Sequence, residues 1–93
     1  MPQAPSDDAL AGLRVLVVGA SSGIGAATAA LFVQHGARVV GAARRTERVQ
    51  ALGIDAVHCD LTDPASCEQV VGDAVALLGG LDALVVIAGL TVL

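Results

Sequence analysis

Four short apolar runs alternate with stretches of helical spacing, and this alternation restricts the chain to a narrow set of folds. The runs are Arg14–Val18 (RVLVV), Ala37–Ala42 (ARVVGA), Ile54–Cys59 and Leu84–Ala88 (LVVIA). A strand that is apolar at nearly every position is covered on both faces, as in a parallel sheet flanked by helices. Between the first two runs, Ile24, Ala27, Thr28, Leu31 and Phe32 recur at helical spacing, with Gly36 as a stop. A short helix is expected over Arg45–Leu52, ended by Gly53. Asp63 followed by Pro64 reads as a helix cap and first turn. The apolar stripe of that helix is Cys67, Val70, Val71, Ala74, Val75 and Leu78, and Gly79–Gly80 closes it. The order βαβαβαβ predicts an α/β fold with a parallel sheet and right-handed crossovers.

Composition narrows the partners. Apolar residues make up 55 % of the 93, yet Phe32 is the one aromatic, so the core is built from Val, Leu, Ile and Ala. A chain of this length makes one domain and buries only about two-thirds of its unfolded surface. The net charge is −4 and the basic residues form no run beyond Arg44–Arg45, which argues against nucleic acid as a partner. Residues 1–11 hold two prolines and a polar, acidic Ser6–Asp8, and are expected to form a mobile leader ahead of a domain over 12–93. They show no secretory pattern, and Ala83–Leu93 is too short to span a bilayer as a helix. No membrane partner and cytoplasmic residence are therefore expected. Cys59 and Cys67 read as small core residues and not as a disulfide framework, and no soft-ligand cluster suggests a metal.

The most informative stretch is Val18-Gly19-Ala20-Ser21-Ser22-Gly23-Ile24-Gly25. A buried strand runs into three glycines and a helix begins at once. Glycine permits the tight turn and lets backbone approach a ligand, and the first helical N–H groups carry a positive dipole end. The arrangement suits a phosphate. Its spacing is neither Gly-x-Gly-x2-Gly nor that of a Walker A loop.

These residues resemble the cofactor loop of short-chain dehydrogenases/reductases, and three later signals follow in that family's order. They are AARR at Ala42–Arg45, Cys59-Asp60-Leu61, and LDALVVIAG at Leu81–Gly89, which is similar to the family's LDxLVNNAG. The resemblance runs from about Leu10 to Leu93 and corresponds to the first half of a family member. It implies a partial Rossmann-like three-layer parallel sheet of four strands, in order 3-2-1-4, truncated after the fourth. It also implies a dinucleotide partner, held by Gly19, Ser21, Ser22, Gly23, Ile24 and Gly25. Asp60 matches the family aspartate that accepts from the adenine amino group, with Leu61 supplying its backbone N–H. Ala88 and Gly89 match the segment beside the adenosine ribose.

The end of the second strand bears on cofactor choice. An acidic residue there would hold the ribose hydroxyls of NAD. Ala43 stands at that place, followed by Arg44 and Arg45. A guanidinium offers a forked donor pair to a 2′-phosphate, so NADP(H) is expected over NAD(H), with Arg44 as first choice and Arg45 second. Two solvated surface arginines are the plainer reading of the same residues. Ser22 stands where NADP-preferring relatives often carry a base.

Two departures from the family pattern are Val18, where Thr is usual, and Val86-Ile87, where Asn-Asn is usual. In the implied sheet they are neighbours, so polar partners are replaced together, a change that is nearly neutral for folding. The family's catalytic Ser, Tyr and Lys have no counterparts here: the 93 residues include no Tyr, and all five basic residues are Arg. The expectation is the NADP(H)-binding half of an oxidoreductase, with a non-catalytic nucleotide-binding module or a non-functional fragment as the alternative. Leu84–Leu93, apolar but for Thr91, is further expected to leave a sheet edge open to self-association.

Overall fold

The computed structural model describes residues 9–21 and 23–87. The elements run β1 (Arg14–Val18), α1 (Gly23–Gln34), β2 (Arg38–Ala43), α2 (Thr46–Gln50), β3 (Asp55–His58), α3 (Pro64–Leu78) and β4 (Ala83–Val86). All pairings are parallel and the sheet order is β3-β2-β1-β4. The Rossmann-like four-strand arrangement expected from the sequence is therefore present.

Strand β1 has partners on both sides, Val18 matching Ala42 of β2 and Val86 of β4. Its side chains alternate between two cores. Leu16 and Val18 join Val40, Ala42, Val57, Cys59, Val70, Ala74 and Leu78 under α3. Val15 and Val17 join Ala20, Ala29, Val39 and Val49 on the face covered by α1 and α2, with Phe32 and Leu10 packed at the margin. The sheet is thus the middle of three layers. Leu10 also donates to the His35 carbonyl at 2.8 Å, which ties the chain before β1 to the end of α1. Residues 1–8 of the expected leader lie outside the described residues.

The buried face of α1 differs from the one its periodicity suggests. Gly25 and Ala29 are buried and Phe32 packs inward, whereas Ile24 and Leu31 face outward. This helix is apolar all round, so spacing alone does not pick its inner side. Small residues at Gly25 and Ala29 let it lie close on the sheet. In α3 the expected stripe is half right: Val70, Ala74 and Leu78 are buried, and Val71 and Val75 lie partly in solvent. On β2, Gly41 leaves room for the α2 side, since a Cβ there would collide with Val49 and approach Ala20 Cβ to 2.9 Å.

Helix α3 is delimited as its sequence implies. The Asp63 side chain accepts from Ala65 N at 3.1 Å with Pro64 in the first turn, and Gly79 caps the C-terminus at φ 79°. Gly79 N donates to Val75 O at 2.8 Å. Two arginines meet the carbonyls left at this end: Arg38 Nη1 donates to Leu78 O at 3.1 Å and Arg14 Nη1 to Gly79 O at 3.2 Å. The positive charges suit the negative end of the helix dipole. Arg14 also forks onto Asp82, Nε to Oδ2 and Nη2 to Oδ1, both at 3.0 Å, while Arg14 N donates to Oδ2 at 2.8 Å. This joins the starts of β1 and β4.

The hydrogen bonds from Arg14 hold the Asp82 carboxyl down at about 2. A carboxylate whose folded value lies below its unfolded value stabilises the fold above the unfolded value, and that contribution fades as pH falls toward the folded one. Urea denaturation midpoints should therefore decline between about pH 4 and about pH 2, and Asp82→Asn should be less stable at neutral pH and show a shallower decline in that window. Parallel titrations monitored by far-ultraviolet circular dichroism check both.

Candidate functional site

The glycine turn stands at the carboxyl end of β1, where the chain leaves the sheet between β2 and β4. Gly19 N and Ala20 N both donate to Ala42 O, at 2.8 and 3.3 Å, which fastens the turn to β2. On the other side Ile87 N donates to Val18 O at 2.9 Å. Gly19 has φ 91°, and a Cβ built there would strike the Ile87 carbonyl oxygen. Both its conformation and its neighbour require glycine. Gly23 differs: it opens α1, and nothing among the described residues lies within 4 Å of a Cβ built on it. Gly25 is buried, where it brings α1 onto the sheet.

Beside this turn is a cleft of about 540 Å³ at the carboxyl ends of the strands. Val18, Ala42, Cys59 and Ile87 form an apolar part, and Gly19, Ser21, Ala43, Arg44, Asp60, Leu61 and Thr62 complete the wall. Of the residues singled out from sequence, the structure thus brings together Gly19, Ser21, Arg44, Asp60 and Leu61. Gly23, Ile24 and Gly25 lie just behind the turn in α1, and Ile24 is 72 % exposed. Arg45 stands off the cleft as the N-terminal flank of α2, without a capping hydrogen bond from its side chain. Ser22, Ala88 and Gly89 lie outside the described residues.

Asp60 is the strand-end turn residue that is the plainer reading of its sequence, and its partners there are Thr62 and Ser66. Its Oδ1 accepts from Thr62 N at 2.9 Å and from Thr62 Oγ1 at 2.7 Å, while Asp60 N donates to Ser66 Oγ at 2.8 Å. The bonds from Thr62 lower the Asp60 carboxyl below its usual range, and the nearby charges of Arg44 and His58 act in the same direction. Asp60 is therefore held ionised and fixed in orientation. The family resemblance does not single out Thr62 or Ser66. The signal available was the Asp-x-Thr spacing, an Asx turn in which the side chain bonds its own backbone two residues on.

Arg44 is exposed and makes no ion pair among the described residues. No group of three or more potential metal ligands occurs among them either. The pairing of Val18 with Val86 places the departures Val18, Val86 and Ile87 together at one end of β1 and β4, as the strand order required.

Comparison with known proteins agrees with this architecture. The sequence profile of the short chain dehydrogenase family matches residues 14–93. The chain is 45 % identical over 89 residues to momilactone A synthase of Oryza sativa subsp. japonica, covering 88 % of this chain and 32 % of that protein. A short chain dehydrogenase from Mycobacterium smegmatis superposes with a TM-score of 0.82 at 33 % identity, over 97 % of this chain and 41 % of the other. The 3-ketoacyl-(acyl-carrier-protein) reductase from Brucella melitensis, solved complexed with NADH, superposes with a TM-score of 0.74 at 30 % identity, over 81 % of this chain and 33 % of the other. The chain belongs to the short-chain dehydrogenase/reductase family, a family of NAD(P)(H)-dependent oxidoreductases. It spans about a third of the length of the curated relatives it matches.

The two glycines differ in what folding asks of them. Gly19→Ala should lower the stability by roughly 1–3 kcal/mol, from the left-handed backbone and the Ile87 carbonyl. Gly23→Ala should leave it unchanged or slightly raised, since alanine favours the helix. Thermal and urea denaturation of the two variants beside the wild type tests this, and equal losses at both would refute it.

Proposed function

We propose that this chain is the cofactor-binding portion of a short-chain dehydrogenase/reductase and takes NADP(H) in preference to NAD(H). The observation that supports this reading most is the cleft, in which the glycine turn, Arg44 and the ionised Asp60 converge at the carboxyl ends of parallel strands. In this reading the pyrophosphate lies against Gly19, Ser21, Ser22 and Gly23, with Ile24 and Gly25 carrying the helix end that faces it. The space in front of Gly23 fits such a group. Arg44 meets the 2′-phosphate with Arg45 behind it, Asp60 and Leu61 meet the adenine, and Ala88 and Gly89 flank the ribose. The bound nicotinamide would supply or accept the hydride in a carbonyl–alcohol interconversion. The chain's own part is to bind and orient, because none of its described residues is placed as the proton donor the reaction needs and its sequence contains no Tyr or Lys. Residence in the cytoplasm belongs to the same reading, in keeping with two free thiols. No helix among the described residues is long and apolar enough to cross a membrane.

The preference rests on Ala43 and Arg44. No carboxylate at this strand end repels a 2′-phosphate, and Arg44 has no competing ion pair among the described residues. Arg44→Ala should weaken NADPH binding about tenfold or more, the worth of a charge-assisted hydrogen bond, and leave NADH binding within about twofold. Gly23→Val, filling the space at the helix end, should abolish binding of both. Fluorescence titrations of the two nucleotides against wild type and both variants measure this, and equal wild-type affinities untouched by Arg44→Ala would refute the preference.

A second copy of the chain is the other partner we propose. Among the described residues β4 is paired on one side only, and Leu84 and Val86 are each about half exposed. An open apolar edge of this kind pairs readily with another strand. The 93-residue chain alone should elute as a dimer or larger at tens of micromolar; size-exclusion chromatography with light scattering giving a monomer would contradict it.

A further inference from the structure

Cys59 and Cys67 line one cavity. Cys59 follows β3 and is 3 % exposed; Cys67 lies in the second turn of α3 and is half-buried. The Cys67 thiol lies over the backbone next to Cys59, with Sγ 3.7 Å from Asp60 O and 3.9 Å from Leu61 O. Both cysteines line a second, smaller cavity of about 180 Å³, with Val18, Leu61, Val70 and Leu84. Burial pushes the Cys59 thiol up, and Cys67 beside it adds to the shift. Cys59 is thus the more sheltered thiol, at the floor of both the cleft and the cavity, and Cys67 is the more exposed of the two.

We propose that Cys59 and Cys67 form an oxidisable thiol pair, closed by a peroxide into a disulfide that clamps the turn carrying Asp60 and Leu61. The Cys67 sulfur attacks one peroxide oxygen, the O–O bond breaks, and a sulfenic acid and one water result. The Cys59 sulfur then attacks the sulfenic sulfur. The S–S bond forms, the S–O bond breaks, and the hydroxyl leaves with the Cys59 proton as a second water. Two thiols are oxidised by two electrons and one hydrogen peroxide is reduced to two waters. Closure brings the two sulfurs to about 2.05 Å, drawing the start of α3 toward β3. It also removes the S–H donor that now meets the Asp60 and Leu61 carbonyls. The same short segment holds Thr62 and Ser66, which orient Asp60. The effect on nucleotide rests on the binding reading given above; the disulfide does not.

The experiment treats the purified chain with stoichiometric hydrogen peroxide and maps its peptides under non-reducing conditions. A peptide pair linked through Cys59 and Cys67, lighter by two hydrogens, in a chain of monomer mass is the expected result. It should be missing in Cys67→Ser and return to free thiols with dithiothreitol. Linkage between chains, or further oxidation of Cys67 with Cys59 left as a thiol, overturns the pair. In a second arm, NADPH affinity of the oxidised chain should fall about three- to tenfold and recover on reduction, with Cys67→Ser insensitive to peroxide. A disulfide that forms without changing affinity overturns the clamp. A reduced chain that binds no dinucleotide refutes the binding reading instead, and the peptide map still decides the thiol pair.

Discussion

The double coverage of β1 is the constraint on which the rest of the structure depends. The strand is hydrogen-bonded along both edges and covered on both faces, so Val15 through Val18 are almost wholly inaccessible to water. A polar side chain at Val15, Leu16 or Val17 would need a hydrogen-bonding partner that the apolar neighbours do not offer. From β1 the chain moves outward through β2 to β3, and α3 then carries it back to the far side of β1 as β4. The reversal leaves a crevice above the carboxyl end of β1, since the connections on its two sides diverge. The glycine turn lies at that point because β1 ends there. Position of the site and placement of the core are one consequence of the same strand.

Much of this was readable in the order of residues. Continuous apolar runs announce strands covered on both sides, and Asp63-Pro64 and Gly79 delimit α3 by chemistry that acts within one turn. The strand ends were read less well. β2 begins at Arg38 and reaches Ala43, and β4 spans Ala83–Val86, because pairing with the neighbouring strand decides which terminal residues join the sheet. Of the inner face of α1 only Phe32 was read correctly. When both faces of a helix are apolar, choice of face falls to shape, and Gly25 and Ala29 win by being small. Within the cleft, Gly19 and Asp60 were visible as single residues. The support that Thr62 and Ser66 give Asp60 was not, because it is a relation between side chains and a turn.

The cleft combines a low-polarity floor with charges of both signs at its rim. Val18, Ala42, Cys59 and Ile87 offer little to a polar group, so orientation of anything bound must come from the turn and the rim. Asp60 is anchored through one oxygen by Thr62, which spends part of its acceptor capacity on rigidity. Arg44 is the opposite case, a long side chain on the surface with no partner holding it among the described residues. One wall of the cleft is pre-set and the other is free to adjust.

The fork between Arg14 and Asp82 lies at the amino ends of β1 and β4, five residues of strand from the glycine turn, or roughly 16 Å away. Groups that far apart, with no shared partner, contribute to stability almost independently. The molecule therefore has a chemically quiet end and a working end. Robustness can be traded up or down at the quiet end, by drift or by design, while the shape of the working end is left to answer to its ligand alone.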